Sequence, residues 1–185
     1  MSNLVIFLGP PGAGKGTQAL KIAKEKSLAH ISTGDMLREH VSSGTELGKI
    51  AKTLLDEGKL VPDSLVIEML IERLNADDCV NGAILDGFPR TLAQAESLDE
   101  ISSQFEISKV FVFEANHKEL VKRILHRGET SGRSDDTEES ISVRLKVYEK
   151  DTAPLIEYYG QKNLVVRINA VGEIENIYNL ILEEF

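Results

Sequence analysis

Leu4-Val5-Ile6-Phe7-Leu8-Gly9-Pro10-Pro11-Gly12-Ala13-Gly14-Lys15-Gly16-Thr17 is the stretch whose reading decides the fold. Its first five residues are apolar without alternation, the pattern of a strand covered on both faces in a parallel sheet. Glycines and prolines end that run, and Thr17 to Lys26 reads as a helix with Ala19, Leu20, Ile22 and Ala23 as its apolar stripe. Strand, glycine-rich turn with a lysine, then helix is the context of a phosphate-binding loop. Successive backbone N–H groups there can turn inward around phosphate oxygens, the helix N-terminus adds partial positive charge, and Lys15 adds a full one. Gly9 to Lys15 keeps the spacing G-x-x-x-x-G-K, but Gly16 stands where a hydroxyl residue is usual, and the hydroxyl comes one later, at Thr17. That departure weakens the case for direct hydroxyl ligation of Mg²⁺ and favours an ion held by nucleotide phosphates, water and a more distant carboxylate. The dinucleotide-binding pattern fits less well, because Thr17 replaces its third glycine and it has no use for a lysine.

Three further apolar runs resemble the first: Ala83-Ile84-Leu85, Val110-Phe111-Val112-Phe113 and Leu164-Val165-Val166-Arg167-Ile168, with Leu28 to Ile31 as a short additional strand. Helical spacing joins Leu65, Met69, Leu70 and Leu74 after Pro62-Asp63, where Asp63 reads as an N-cap. Leu120, Ile124 and Leu125 mark another helix, Ile141, Leu145 and Tyr148 a third, and Ile174, Ile177 and Ile181 the last. Strands alternating with helices predict an α/β fold with a parallel sheet. The polar stretch from Arg127 to Ser140 reads as an exposed, mobile segment within the domain. Asp86 ends the second apolar run at the same sheet edge as the phosphate loop, where a carboxylate can orient the water shell of a nucleotide-bound Mg²⁺.

Composition bounds the partners. The 185 residues suit a single domain with a substantial core. With 21 Lys+Arg against 30 Asp+Glu, the net charge of −9 argues against a general nucleic-acid binder. The opening apolar run is far shorter than the roughly 20 residues of a membrane span, and no basic stretch with a long apolar core precedes it. A cytoplasmic protein is expected. Cys79, the single cysteine, precludes an intramolecular disulfide and reads as a buried structural thiol. His30, His40, His117 and His126 have no metal-ligand spacing, and His126 reads as a helix-surface residue.

Local charge matters more than the total. Of the eight arginines, Arg73 and Arg167 sit in ordinary helix and strand patterns and read as surface residues. Arg90 closes Asp86-Gly87-Phe88-Pro89-Arg90 just beyond a strand end, while Arg127, Arg133 and Arg144 occupy or flank the polar stretch. Guanidiniums gathered beside a phosphate loop point to phosphoryl transfer between two anionic substrates rather than simple hydrolysis.

With these motifs in place, the chain resembles the adenylate kinase family over essentially its whole length. The likeness is carried by the phosphate loop with Lys15-Gly16-Thr17, by Gly34-Asp35-Met36-Leu37-Arg38, by Asp86-Gly87-Phe88-Pro89-Arg90 and by Ser131-Gly132-Arg133-Ser134-Asp135-Asp136. Arg144, Tyr148 and Thr152-x-Pro154-Leu155-Ile156-x-Tyr158-Tyr159 complete it. The resemblance implies a three-layer P-loop NTPase fold with a five-stranded parallel sheet, a helical AMP-binding flap at 32–61, a short lid at 127–137 and the remainder as core. It implies that Gly12, Ala13, Gly14, Lys15, Gly16 and Thr17 bind ATP, that Arg123 stacks on the donor adenine, and that the backbone near Gly172 touches the same base. Arg38 and Arg90 would hold the acceptor α-phosphate, in a site shared with Thr33, Lys59, Leu60, Val61, Gly87 and Gln94. Lys15, Arg90, Arg127, Arg133 and Arg144 would surround the transferring phosphoryl group. Asp135 and Asp136 would lock the closed lid. Gly44, Gly48 and Gly58 read as hinge positions of the flap.

The implied reaction is ATP + AMP ⇌ 2 ADP with Mg²⁺, in a monomer. Ser32-Thr33-Gly34, Thr91 and Gln94 resemble the AMP-specific branch, since a glutamine amide donates and accepts at once, as adenine requires. UMP/CMP kinases carry alanine at the place of Thr33 and asparagine at that of Thr91. A UMP/CMP kinase is the alternative within the enzyme class, and a nucleotide-binding module that has lost catalysis is the alternative outside it. Only five residues separate Arg127 from Arg133, so the lid lacks the inserted small domain of long-form members, and structural zinc is not expected there.

Overall fold

A computed structural model describes residues 2–101, 105–131, 133 and 135–185. Gly132 and Ser134 of the lid motif lie outside the described residues.

Five strands form one parallel sheet in the order β2-β3-β1-β4-β5. They are β1 (Ser2–Leu8), β2 (Ala29–Ser32), β3 (Gly82–Asp86), β4 (Phe105–Glu114) and β5 (Val165–Asn169). The helices are α1 (Lys15–Lys26), α2 (Thr33–Ser42), α3 (Glu46–Asp56), α4 (Asp63–Leu74), α5 (Leu92–Glu100), α6 (His117–Ser131), α7 (Glu138–Val147), α8 (Pro154–Gly160) and α9 (Ile174–Glu183).

The unalternating apolar runs now have their reason. Side chains alternate faces along a strand, and here both faces are covered. Leu4, Ile6, Leu8, Ala83, Leu85, Val110 and Val112 join one core with residues of α4, α5 and α8. Val5, Phe7, Ile84, Phe111 and Phe113 join a second with α1, α6 and α9. Each face therefore needs its own apolar set, and the sequence supplies both in turn.

Three sequence expectations change. In α1 the buried set is Gln18, Ala19, Ile22 and Ala23, while Leu20 is 60% exposed. At about 100° per residue, Leu20 falls off the stripe, and Gln18 takes the buried place by donating from Nε2 to Ile174 O at 2.9 Å. Asp63 does not cap α4: Pro62 holds the N-cap position without a side-chain bond, and the Asp63 carboxylate turns to Thr91 and Gln94. The stretch 127–140 is not a free loop. Arg127 to Ser131 extend α6, Asp135, Asp136 and Ser140 are buried, and Thr137 caps α7 by accepting from Ser140 N. Arginine pairing, described below, gives this charged stretch partners that solvent would otherwise supply.

Two of the three glycines read as hinges, Gly48 and Gly58, sit at close approaches. A Cβ on Gly48 would lie 2.0 Å from His40 O, so it is the seat where α3 packs on α2. A Cβ on Gly58 would lie 2.7 Å from Ser140 O and 2.8 Å from Arg144 Cγ, under α7. Between α7 and α8 the helix widens into a π-turn at Tyr148–Thr152. Pro154, first residue of α8, has no N–H to give and crowds the preceding turn, which the wider turn accommodates. The turn also brings Thr152 Oγ1 to Arg90 O, to which it donates at 2.8 Å.

Candidate active site

In open parallel sheets ligands lie outside the carboxyl ends of the strands, where the strand order reverses. That point here is β1, flanked by β3 and β4, and a cleft of about 780 Å³ opens there. The turn after β1 leads into it. Gly14 is the N-cap of α1 at φ +86° and Gly12 has φ +84°, conformations that favour glycine. A Cβ on Gly12 would also lie 2.8 Å from Leu120 O, so the loop packs directly on α6. No side chain caps α1 and its first turn holds no acidic residue, which leaves its N–H groups for an anion.

Lys15 Nζ donates to Gly9 O at 2.8 Å and Pro10 O at 3.0 Å, holding the ammonium over the loop. Burial pushes it down from the ordinary lysine value to about 8; Asp86 opposes the shift, and Arg90, Arg144 and Arg127 reinforce it. A bound polyphosphate would favour the charged form. Nucleotide binding is therefore expected to take up protons between the free value of about 8 and the ordinary lysine range, with affinity falling as pH rises through about 8. Titration calorimetry in buffers of different ionisation enthalpy reads this directly: no proton uptake at pH 8.5 would contradict it.

Asp86 ends β3 beside the loop. A Cβ on Gly16 would stand 3.1 Å from Asp86 Oδ2, so the glycine in place of the usual hydroxyl residue gives room to this carboxylate. His30 Nε2 lies 3.6 Å from the same oxygen, beyond hydrogen-bond reach, and is a buried atom with no hydrogen-bond partner among the described residues. One acidic oxygen pair facing a phosphate loop fits Mg²⁺, which keeps several waters and relies on substrate phosphates rather than a protein cage.

Beyond the loop, guanidiniums line the cleft. Arg127 forks onto Asp136, from Nε at 2.7 Å and Nη2 at 2.6 Å, and Arg144 Nη1 reaches the same carboxylate at 2.8 Å. Asp136, with a fully buried side chain, thus ties α6 to α7. Burial would raise its pKa, but Arg127 and Arg144 hold the carboxyl below the ordinary aspartate range. Asp135 pairs with Arg144 at 3.1 Å and lies 3.8 Å from Arg38. Arg133 Nη2 crosses to Asp35 Oδ1 at 3.2 Å, and Arg38 bonds the same oxygen at 2.6 Å. The 127–137 stretch and α2 therefore meet across the cleft.

Burial, with Arg144 close by, pushes Arg90 down to about 10, still charged at neutral pH. Its Nε donates to Gly87 O at 2.8 Å, and Thr33 Oγ1 donates to the same carbonyl at 2.8 Å. At the other end, Arg123 is held in plane by Glu119 Oε1 at 2.8 Å and Ala170 O at 2.8 Å, near Gly172.

The cleft gathers nearly every residue singled out in the sequence. Gly12 to Thr17, Asp86, Arg123, Arg127 and Gly172 line it, as do Thr33, Arg38, Lys59, Leu60, Val61, Gly87, Arg90, Gln94, Arg133, Asp135 and Arg144. Asp136 lies behind them. Arg73 turns away to fork onto Asp78 at 2.6 and 2.7 Å, and Arg167 pairs with Glu114. Sequence reasoning missed His30, Asp35 and Thr152 as site neighbours. Asp35 was legible, three residues before Arg38 on one helix; His30 depends on how β2 registers against β3, which carries no local signal.

A parallel sheet with a lysine-bearing phosphate loop at β1 and a ring of arginines opposite it defines a P-loop nucleotide-binding protein of the phosphoryl-transferring kind. A family model for adenylate kinase matches residues 7–164. An adenylate kinase of Leptospira biflexa is 48% identical over 181 residues, covering 97% of each chain. Those of Thermus thermophilus (47% over 180 residues, 96% of this chain and 94% of the relative) and Parabacteroides distasonis (47% over 185 residues, 99% and 97%) are alike. This chain belongs to the adenylate kinase family.

Proposed function

We propose that the chain transfers a phosphoryl group reversibly from MgATP to AMP, giving two ADP. The observation that carries this reading is the joining, in one cleft, of the Lys15 phosphate loop to a second anion site at Arg38 and Arg90, with Arg127, Arg133 and Arg144 between them. A hydrolase needs one phosphate site; a phosphotransferase needs two in line.

The ATP phosphates lie on the N–H groups of Gly12 to Thr17 and on Lys15, with the base between Arg123 and the Gly172 backbone. Asp86 would help to hold the Mg²⁺ that accompanies the nucleotide, and the ion would neutralise phosphate charge. Arg38 and Arg90 hold the acceptor phosphate, whose oxygen is already ionised, so no general base is required. That oxygen attacks the γ-phosphorus as the bond to the bridging oxygen breaks. Arg127, Arg133 and Arg144 face the charge that spreads over the equatorial oxygens. Residues 32–61 act as the acceptor flap and 127–137 as a short lid; the Arg133–Asp35 and Arg38–Asp135 approaches bring the two together, which excludes water and protects the donor from hydrolysis.

Among the described residues no helix is long and apolar enough to cross a membrane. We read the protein as a cytoplasmic monomer whose partners are ATP, AMP and ADP, without nucleic acid or membrane. The test is ADP formation from ATP with AMP, UMP or CMP, with and without Mg²⁺. AMP is expected to be used well above both pyrimidines. Equal or greater turnover of UMP would overturn the acceptor assignment, and binding of ATP and AMP without ADP formation would overturn the enzymatic one.

A further inference from the structure

Gln94 lines the acceptor end of the cleft, 2% exposed, in the first turn of α5. Its side-chain amide meets two partners of opposite kind. Oε1 accepts from Arg90 N at 2.7 Å, and Nε2 donates to Asp63 Oδ1 at 2.7 Å. A backbone N–H can only donate and a carboxylate oxygen accepts, so the two bonds select one of the two ways the amide can face. Turning it over would set Oε1 against the carboxylate and Nε2 against the N–H, losing both bonds at once. The carboxylate is itself held, since Thr91 Oγ1 donates to Asp63 Oδ2 at 2.9 Å while accepting from Gln94 N at 3.2 Å.

In this orientation the amide keeps one N–H on Nε2 and one lone pair on Oε1. Adenine offers the complement, an acceptor at N1 and a donor at its 6-amino group. A 6-oxopurine offers the reverse, a donor at N1 and an acceptor at O6, and would be matched only by the overturned amide. We propose that Asp63, which does not line the cleft, is a specificity-determining positioning residue: it locks the Gln94 amide so that the acceptor site takes a 6-aminopurine monophosphate and rejects a 6-oxopurine one. This rests on the acceptor assignment made above. Asp63 heads α4, two residues beyond Val61 of the cleft wall, so the start of α4 meets the start of α5 at this bond.

The experiment compares AMP with inosine monophosphate as acceptors, ATP as donor, in wild type, Asp63→Ala and Asp63→Asn. In Asp63→Ala the Arg90 N–H still favours the native orientation, so the AMP-over-IMP ratio of kcat/KM is expected to fall about tenfold rather than vanish. Asp63→Asn keeps the shape but offers a reversible amide, and a fall of about threefold is expected. KM for ATP is expected to stay within about twofold of wild type in both. A purely structural role would instead lower both acceptors alike and leave their ratio unchanged, and that result overturns the inference. Should Asp63→Ala fail to fold, an unchanged ratio in the near-isosteric Asp63→Asn overturns it equally. A wild type that does not phosphorylate AMP refutes the acceptor assignment itself; a wild type that prefers AMP while both variants keep its ratio refutes only the role of Asp63.

Discussion

Replacing Arg133 with alanine is expected to lower turnover about 10³-fold while leaving ATP affinity within about threefold, as for a guanidinium that meets charge developing during transfer. The structure gives the reason for this asymmetry. Arg133 does not touch the phosphate loop; it crosses the cleft to Asp35, which also holds Arg38. Burial, Arg38 and Arg127 push the Arg133 guanidinium down, while Asp35 and Asp135 oppose the shift without cancelling it, so neighbouring cations outweigh its carboxylate partners. On the proposed reading, a transferring phosphoryl group would supply the further anionic partner. Arg133→Lys should recover a part of the loss, since a point charge cannot reproduce the planar pair of donors. Steady-state kinetics beside equilibrium ATP binding decides the matter: a loss that falls on ATP affinity, with kcat preserved, would remove Arg133 from the transfer step. Effects of Arg127, Arg133 and Arg144 should not be summed, because groups acting on one charge are non-additive.

Asp136→Ala is expected to be the most destabilising single change in the cleft region. Its carboxylate is fully buried and accepts from Arg127 and Arg144, and its removal takes the forked partner from Arg127 and leaves Arg144 to Asp135. Breaking a buried pair from one side costs about 3–5 kcal/mol; Arg127 and Arg144 keep some access to water, which argues for the lower end, about 3 kcal/mol. For a chain of this length that is a fall in Tm of about 6–12 °C. The sign of the pH dependence follows from the same contacts. Arg127 and Arg144 hold the Asp136 carboxyl below its ordinary range, so its contribution is present in full above that range and is lost as pH falls through the folded value. Thermal unfolding from pH 7 down to pH 3 should show the wild type converging on the variant, and a constant gap between them would contradict the assignment.

Both predictions concern the stretch from Arg127 to Asp136, where the sequence and the structure differ most. Read as a string, these residues are charged and glycine-containing, and composition alone makes them an exposed loop. In the fold its two aspartates are buried against arginines: Arg127 and Arg144 converge on Asp136, and Arg144 also meets Asp135. Charge patterning reports how polar a segment is, but not whether its partners lie across a helix pair. The same limit applies to Gly48 and Gly58: that another stretch of backbone passes within contact distance of each is not legible from a list of glycines.

The sequence by itself determined the sheet and the phosphate loop, and its likeness to a known family implied the rest of the site. Short-range rules suffice for the sheet and the loop: an unalternating apolar run demands two covered faces, and Gly9 to Thr17 carries its chemistry within one turn of backbone. It also pointed to a positive site despite a net charge of −9, because six of eight arginines fall within or beside the phosphate motifs or at the adenine-stacking position. What only the tertiary structure decided is how those groups constrain one another. Asp63 lies 31 residues from Gln94 and Thr152 lies 62 from Arg90, and neither spacing carries a periodic signal. The physical reason is that hydrogen-bond direction depends on which atoms face each other, and that is set by packing of α4, α5 and the π-turn around one loop rather than by any local preference of the residues themselves.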